Sequence, residues 1–135
     1  MSIQQLRIAR PVSDLEISCA MYCAGLGLTR LGGFADHDGF SGVMLGDESL
    51  SWHLEFTFCH HHPVEPATTA EDLLVLYLPD EEQWRRRCSA LVRAGFEEVA
   101  PLNPYWAKSG ATFQDKDRYR VVVQNSSWKS RMSVS

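Results

Sequence analysis

Leu6-Arg7-Ile8-Ala9-Arg10-Pro11-Val12-Ser13-Asp14-Leu15 and Leu73-Leu74-Val75-Leu76-Tyr77-Leu78-Pro79-Asp80 follow one pattern: an apolar-rich run, a proline, then an aspartate at which the period changes. Each run predicts a short strand. Each aspartate predicts a helix N-cap, because its carboxylate can accept from the unpaired N–H groups of a first helical turn. Beyond Asp14, Leu15, Cys19, Tyr22, Cys23 and Leu26 recur at helical spacing, and Gly25 and Gly27 stop the helix. Beyond Asp80, Trp84, Cys88, Leu91 and Val92 form a second stripe, closed by Ala94-Gly95-Phe96.

Three strand-like stretches follow the first helix, near 29–36, 40–46 and 52–59, separated by Gly, Asp and Ser turn signals. Three more follow the second, near 97–102, 110–114 and 119–125. Asp14 and Asp80 lie 66 residues apart, and Gly27 and Gly95 lie 68 apart. The chain therefore contains one unit twice: strand, Asp-capped helix, glycine stop, three strands. One helix covers only one face of such a sheet, so the other face needs a partner. The expected architecture is α+β: two paired βαβββ modules, with curved mixed sheets around a cleft and the helices outside. Module one is predicted over residues 5–59 and module two over 72–127, as one domain spanning 5–127. Residues 60–71, with two prolines and no periodicity, read as a linker, and 128–135 as a flexible tail.

Composition narrows the function classes. The 135 residues are 44% hydrophobic and 22% charged with a net charge of −4, the profile of an ordinary globular chain. There is no basic footprint of a nucleic-acid binder. The one basic cluster, Arg85-Arg86-Arg87, falls in the second helix and reads as a solvated face. No apolar run approaches the ~20 residues of a membrane span, and the N-terminus lacks a signal-peptide apolar region, so the expected location is cytoplasmic. Four cysteines without CxxC spacing fit no disulfide framework, and Cys19, Cys23 and Cys88 read as core residues.

The run Leu6 to Leu15, then Met21-Tyr22-Cys23-Ala24-Gly25-Leu26-Gly27-Leu28, resembles the opening of the vicinal oxygen chelate superfamily, the glyoxalase/bleomycin-resistance/extradiol-dioxygenase group. The closing Asp115-Lys116-Asp117-Arg118-Tyr119-Arg120-Val121-Val122-Val123-Gln124 resembles that family's last strand. The resemblance spans about residues 5–127. It implies the same paired-module fold, commonly as a dimer. It also implies that metal-using members draw one ligand each from the first and last strands of both modules. The matching positions here are Arg7, Glu55, Leu73 and Val122. Arginine is always cationic and Leu and Val have no donor, so one of the four can bind a metal as an anion. Gln124, on the same face as Val122, is a poor ligand alone. No metal and no cofactor are expected.

By the family's topology Arg7 and Glu55 stand on neighbouring strands. They form either a charge pair orienting a polar ligand or an ion pair closing a lost metal site. Strand alternation puts His53 with Glu55, and Leu73 with Val75 and Tyr77. With Leu74, Leu76 and Leu78 on the other face, the Leu73 strand is expected to be buried on both sides. Asn103-Pro104-Tyr105-Trp106 predicts a turn whose rings could stack on a flat ligand, and Trp106 could equally be a plug between modules.

Residues 53–63, His-Leu-Glu-Phe-Thr-Phe-Cys-His-His-His-Pro, hold one cysteine and four histidines. Only His60 and His62 would point together on an extended chain, and they lie in the linker. They read as exposed loop residues, with a weak surface site for nickel or zinc, perhaps shared with Cys59, as the alternative.

Three functions are compatible with these residues. One is a metal-independent binding protein of the bleomycin-resistance type that sequesters or senses a partly aromatic small molecule. Its candidate contacts are Arg7, His53, Glu55, Leu73, Tyr77, Tyr105, Trp106 and Gln124, and a homodimer is expected. The second is a glyoxalase-like enzyme (lyase, isomerase or transferase) using Glu55 as base or metal ligand. The third is an interaction module without a small ligand.

Overall fold

A computed structural model describes residues 2–128. The first half is β1 (Leu6–Pro11), α1 (Leu15–Leu26), β2 (Thr29–His37), β3 (Phe40–Gly46) and β4 (Trp52–Cys59). The second half is β5 (Leu73–Tyr77), α2 (Glu81–Arg93), β6 (Glu97–Val99), a 3-10 helix (Pro104–Ala107), β7 (Gly110–Gln114) and β8 (Arg120–Gln124). The strands form two four-stranded mixed sheets of one topology, β1-β4-β3-β2 and β5-β8-β7-β6. In each sheet the first strand runs parallel to the last. This is the expected α+β fold of paired βαβββ modules, with the sheets not closed into a barrel.

Both helices begin where the aspartates cap them. Asp14 accepts from the Ile17 N–H at 3.0 Å, and Asp80 from the Gln83 N–H at 2.9 Å. The first helix ends on Gly27, whose φ of 70° is the left-handed conformation that glycine adopts without a Cβ clash. The second ends at Arg93 and turns on Gly95 at φ 103°.

The halves share one core. Tyr22 of α1 packs edge-on against Phe56 of β4 at 4.9 Å and against Phe96, beyond α2, at 5.1 Å. Leu91 and Phe113 are fully buried in the same cluster. A buried polar seam adds direction. The Tyr22 hydroxyl donates to Asp115 at 2.7 Å, the Asp117 and Tyr119 N–H groups donate to the same carboxylate, and the Tyr119 hydroxyl donates to the Pro11 carbonyl. Burial pushes the Asp115 carboxyl up, against the lowering effect of these donors, and burial with Asp115 alongside pushes the Tyr22 phenol up strongly.

Several expectations change. Arg85 and Arg86 are exposed and pair with Glu81 and Glu82, but Arg87 is half-buried and donates to the Gly25 carbonyl of α1 at 2.9 Å. The basic cluster is thus part solvated face and part clasp between the helices. The last strand-like segment before the turn stops at Val99 rather than 102. Pro101 has no N–H to give a ladder and pushes Ala100 away from helix. Residues 103–106 form the start of a 3-10 helix, with the Asn103 side chain accepting from the Tyr105 N–H. Finally, β5 is half-buried along Leu73–Leu76 and exposed at Tyr77, not buried on both sides. It is the outer strand of its sheet; Leu74, Leu76 and Leu78 pack on the core while the Leu73 face is only partly covered. Of the predicted tail only Trp128 lies among the described residues, and it is exposed; 129–135 lie outside them.

Candidate functional site

The registers place two side-chain sets on the sheet faces turned away from the helices. In module one Arg7 pairs with His53 and Ala9 with Glu55, while Met44 lies opposite Glu55 on β3. Their neighbours Leu54 and Phe56 point the other way, into the core. Arg7, His53 and Glu55 form a connected row. The Arg7 Nη1 donates to Glu55 Oε1 at 3.1 Å and its Nε donates to His53 Nε2 at 2.7 Å. His53 Nε2 is thus the acceptor of the Arg7 bond, and its Nδ1 lies 3.0 Å from the Gln5 side-chain nitrogen. The Glu55 side chain is 12% exposed and that of Arg7 49%. The carboxylate is therefore well covered, and the guanidinium reaches from solvent to meet it.

In module two Leu73, Val75 and Tyr77 of β5 pair with Arg120, Val122 and Gln124 of β8, and β7 adds Gly110, Thr112 and Gln114. Val121 and Val123 take the core side. Gln124 is 3% exposed, whereas Tyr77 is 38% and Tyr105 54% exposed. Tyr105 and Trp106 meet edge-on at 5.0 Å. Tyr105 is an open ring, while Trp106 is half-buried with its indole N–H covered.

The structure thus joins Arg7, His53 and Glu55 directly, and groups Leu73, Tyr77 and Gln124 on the second sheet with Tyr105 and Trp106 on the adjoining 3-10 helix. Among the described residues no hydrogen bond or ion pair links the two groups. Thr112 and Arg120 belong to the second face and did not emerge from the sequence reading. The alternation of the 110–114 segment was enough to place Thr112 there. The four positions that the resemblance matches to metal ligands stand at equivalent register points, Arg7 and Glu55 in one sheet, Leu73 and Val122 in the other. Arg7 is a cation and already engages Glu55, and Leu73 and Val122 offer no electron pair, so the residues present do not fit a metal ion.

The Cys59–His62 run lies elsewhere. His60, His61 and His62 are exposed. The His60 ring lies 2.6 Å from the Ser41 hydroxyl and edge-on to Phe58, and the His60 backbone N–H donates to the Gly39 carbonyl. These contacts fasten the end of β4 to the β2–β3 turn. Among the described residues no group of three or more His, Cys, Asp or Glu side chains could hold a metal ion, and no helix is long and apolar enough to cross a membrane.

Residues 6–57 match the model of the YycE-like N-terminal domain, and residues 71–125 that of the YycE-like C-terminal domain. YycE of Bacillus subtilis, an uncharacterized protein, is 39% identical over 122 residues, covering 90% of this chain and 88% of the relative. The chain belongs to the YycE-like family. A crystal structure of a Bacillus subtilis YycE protein of unknown function superposes with a TM-score of 0.87 at 38% identity, over 95% of this chain and 93% of that one. The fold is shared more widely. Glyoxalase I of Leishmania major aligns at TM-score 0.70 and 19% identity, over 93% of this chain and 88% of that one. TnmS3, an antibiotic binding protein from Streptomyces sp. CB03234, aligns at 0.63 and 20%, over 92% and 97%. Members of the YycE-like family therefore carry the vicinal oxygen chelate fold, as the sequence motifs implied.

Proposed function

We propose that this YycE-like chain is a metal-independent small-molecule binding protein of the bleomycin-resistance type, sequestering or sensing a partly aromatic ligand. The observation that carries the reading is the donor set: of the four superfamily ligand positions, only Glu55 is an anion, and Arg7 holds its Oε1 at 3.1 Å. The faces that would line the ligand site combine this polar row with the apolar side chains of Leu73 and Val75 and the rings of Tyr77 and Tyr105. Such a mixture of apolar wall and few fixed polar groups suits a flat organic ligand. That TnmS3, a protein of the same fold, is an antibiotic binding protein agrees with it. Use of Glu55 as a general base has less support, because its Oε1 is already engaged by the Arg7 guanidinium. The proposal includes a cytoplasmic location and a homodimer, in which a second copy would cover the open sheet faces.

Metal analysis of tag-free protein followed by a thermal-shift screen with and without EDTA tests it. The expected result is substoichiometric metal, an unfolding temperature that EDTA leaves unchanged, and stabilisation by an aromatic compound in both conditions. Stoichiometric metal whose removal lowers the unfolding temperature would overturn the reading.

A further inference from the structure

Among the described residues five buried side-chain polar atoms lack a hydrogen-bond partner, and three of them lie in module two: Trp106 Nε1, Thr112 Oγ1 and Gln124 Oε1. Thr112 and Gln124 are 1% and 3% exposed. They share the sheet face turned away from α2, with Thr112 opposite Val122 and Gln124 opposite Gly110. The amide of Gln124 lies across Gly110, where any Cβ would collide with its Oε1. Glycine thus leaves room for an amide whose Oε1 has no hydrogen-bond partner among the described residues. Protein interiors rarely leave such groups unpaired, since each forfeits its hydration without replacement.

The 3-10 helix carrying Trp106 packs against β7. Its hydrogen bonds are internal: Tyr105 N–H to Asn103 Oδ1, Trp106 N–H to Asn103 O, and Lys108 N–H to Tyr105 O. Among the described residues, 103–108 make no hydrogen bond to either sheet, and the next residue, Ser109, is held by the Asn125 N–H donating to its carbonyl, so the segment can lift as far as Ser109 without breaking one.

We propose that Trp106, Thr112 and Gln124 are the polar recognition point of the ligand site, taking an uncharged group with both a donor and an acceptor, such as an aromatic carboxamide, with the Trp106 segment lifting to admit it. This rests on the small-molecule reading above. An indole N–H only donates, a glutamine Oε1 only accepts, and a threonine hydroxyl does either. A carboxamide satisfies all three. A carboxylate brings acceptors alone, sets its charge against Gln124 Oε1, and surrenders its hydration. Arg120 is a cation of this sheet face, but it stands four residues along β8, about 13 Å away by strand rise, with its Nε donating to Gln114; Lys108, at the end of the 3-10 helix, has its Nζ over the Tyr105 ring. Arg120 is out of reach of a group bound at Gln124.

The test uses the intact protein with benzamide, benzoate and phenylphosphonate as probes, and the variants Gln124→Leu and Thr112→Val checked by circular dichroism. Benzamide is expected to raise the unfolding temperature and to bind at least tenfold more tightly than either anion, and both variants should lose that preference. Because Thr112 Oγ1 and Gln124 Oε1 have no partner among the described residues, each variant should itself melt a few degrees above the parent. Benzoate or phenylphosphonate binding as tightly as benzamide overturns this inference and leaves the small-molecule reading standing. Variants that melt below the parent do the same, since the polar atoms would then be satisfied by buried water alone. No shift with any of the three probes overturns both.

Discussion

Arg7 and Glu55 meet through one hydrogen bond, with the carboxylate covered and the guanidinium half in solvent. A pair in that setting is worth more than a fully exposed one and less than a buried fork. A double-mutant cycle with Arg7→Ala and Glu55→Ala is expected to give a coupling of about 1 kcal/mol in urea unfolding; a value near zero would mean that solvent screens the pair completely. The pairing could be anticipated from sequence because a motif fixed both positions. The second bond of Arg7, to His53, could not, since it depends on the parallel register between strands more than forty residues apart. The thiols make a second prediction. Burial, with Cys19 beside it, pushes the Cys23 thiol up to about 11 from 9.0, and burial with the Glu98 charge does the same to Cys88. The folded chain holds these protons after the unfolded chain has released them. The two thiols therefore leave stability untouched below pH 9 and lower it as pH rises from about 9 to 11. Urea midpoints measured at pH 8.5 and 10.5 should show this fall, and a Cys23→Ala/Cys88→Ala variant should show less of it.

Helix ends follow from a few local residues, which explains why both helices were readable from Asp14, Asp80, Gly27 and Gly95 while other elements were not. Gly27 stands at φ 70° with the Arg87 guanidinium 2.9 Å from where a Cβ would be. Gly27→Ala is expected to cost about 1–2 kcal/mol, read by chemical denaturation, through backbone strain and displacement of Arg87. A loss below ~0.5 kcal/mol would show that the helix end relaxes freely. The end of β6 and the 3-10 helix are hard to read from sequence for an opposite reason. An apolar stretch through 102 fits a strand by composition, but Pro101 and the Asn103 cap settle the backbone differently, and short elements carry too few periods to signal it. The role of Trp106 was likewise open between wall and plug. Its covered, unpaired indole N–H is a property of packing, which no residue type records.

At the scale of the molecule the duplication was fully legible, because each repeat carries its own cap, stop and strands. How the repeats meet was not, because the contact is made by residues ordinary in isolation: Tyr22, Gly25, Leu91 and Phe96. A Cβ at Gly25 would sit 2.9 Å from the Phe96 ring and 3.0 Å from Leu91. Phe96→Ala should cost about 3–5 kcal/mol. Near- and far-ultraviolet dichroism should still report one unfolding transition, since neither sheet keeps a core of its own; two separated transitions would refute that. Edge strands raise a different matter. The outer strand β2 slips register against β3 between Arg30 and Gly32 and again between Phe34 and His37, with Asp36 near its end and Asp38 in the turn beyond it both at positive φ. Interruptions of this kind break up the row of free backbone groups that a neighbouring molecule would need to add a strand of its own. In a crowded solution this edge is therefore a poor template for polymerisation, and the chain can leave a hydrophobic residue such as Phe34 at its rim without inviting fibres.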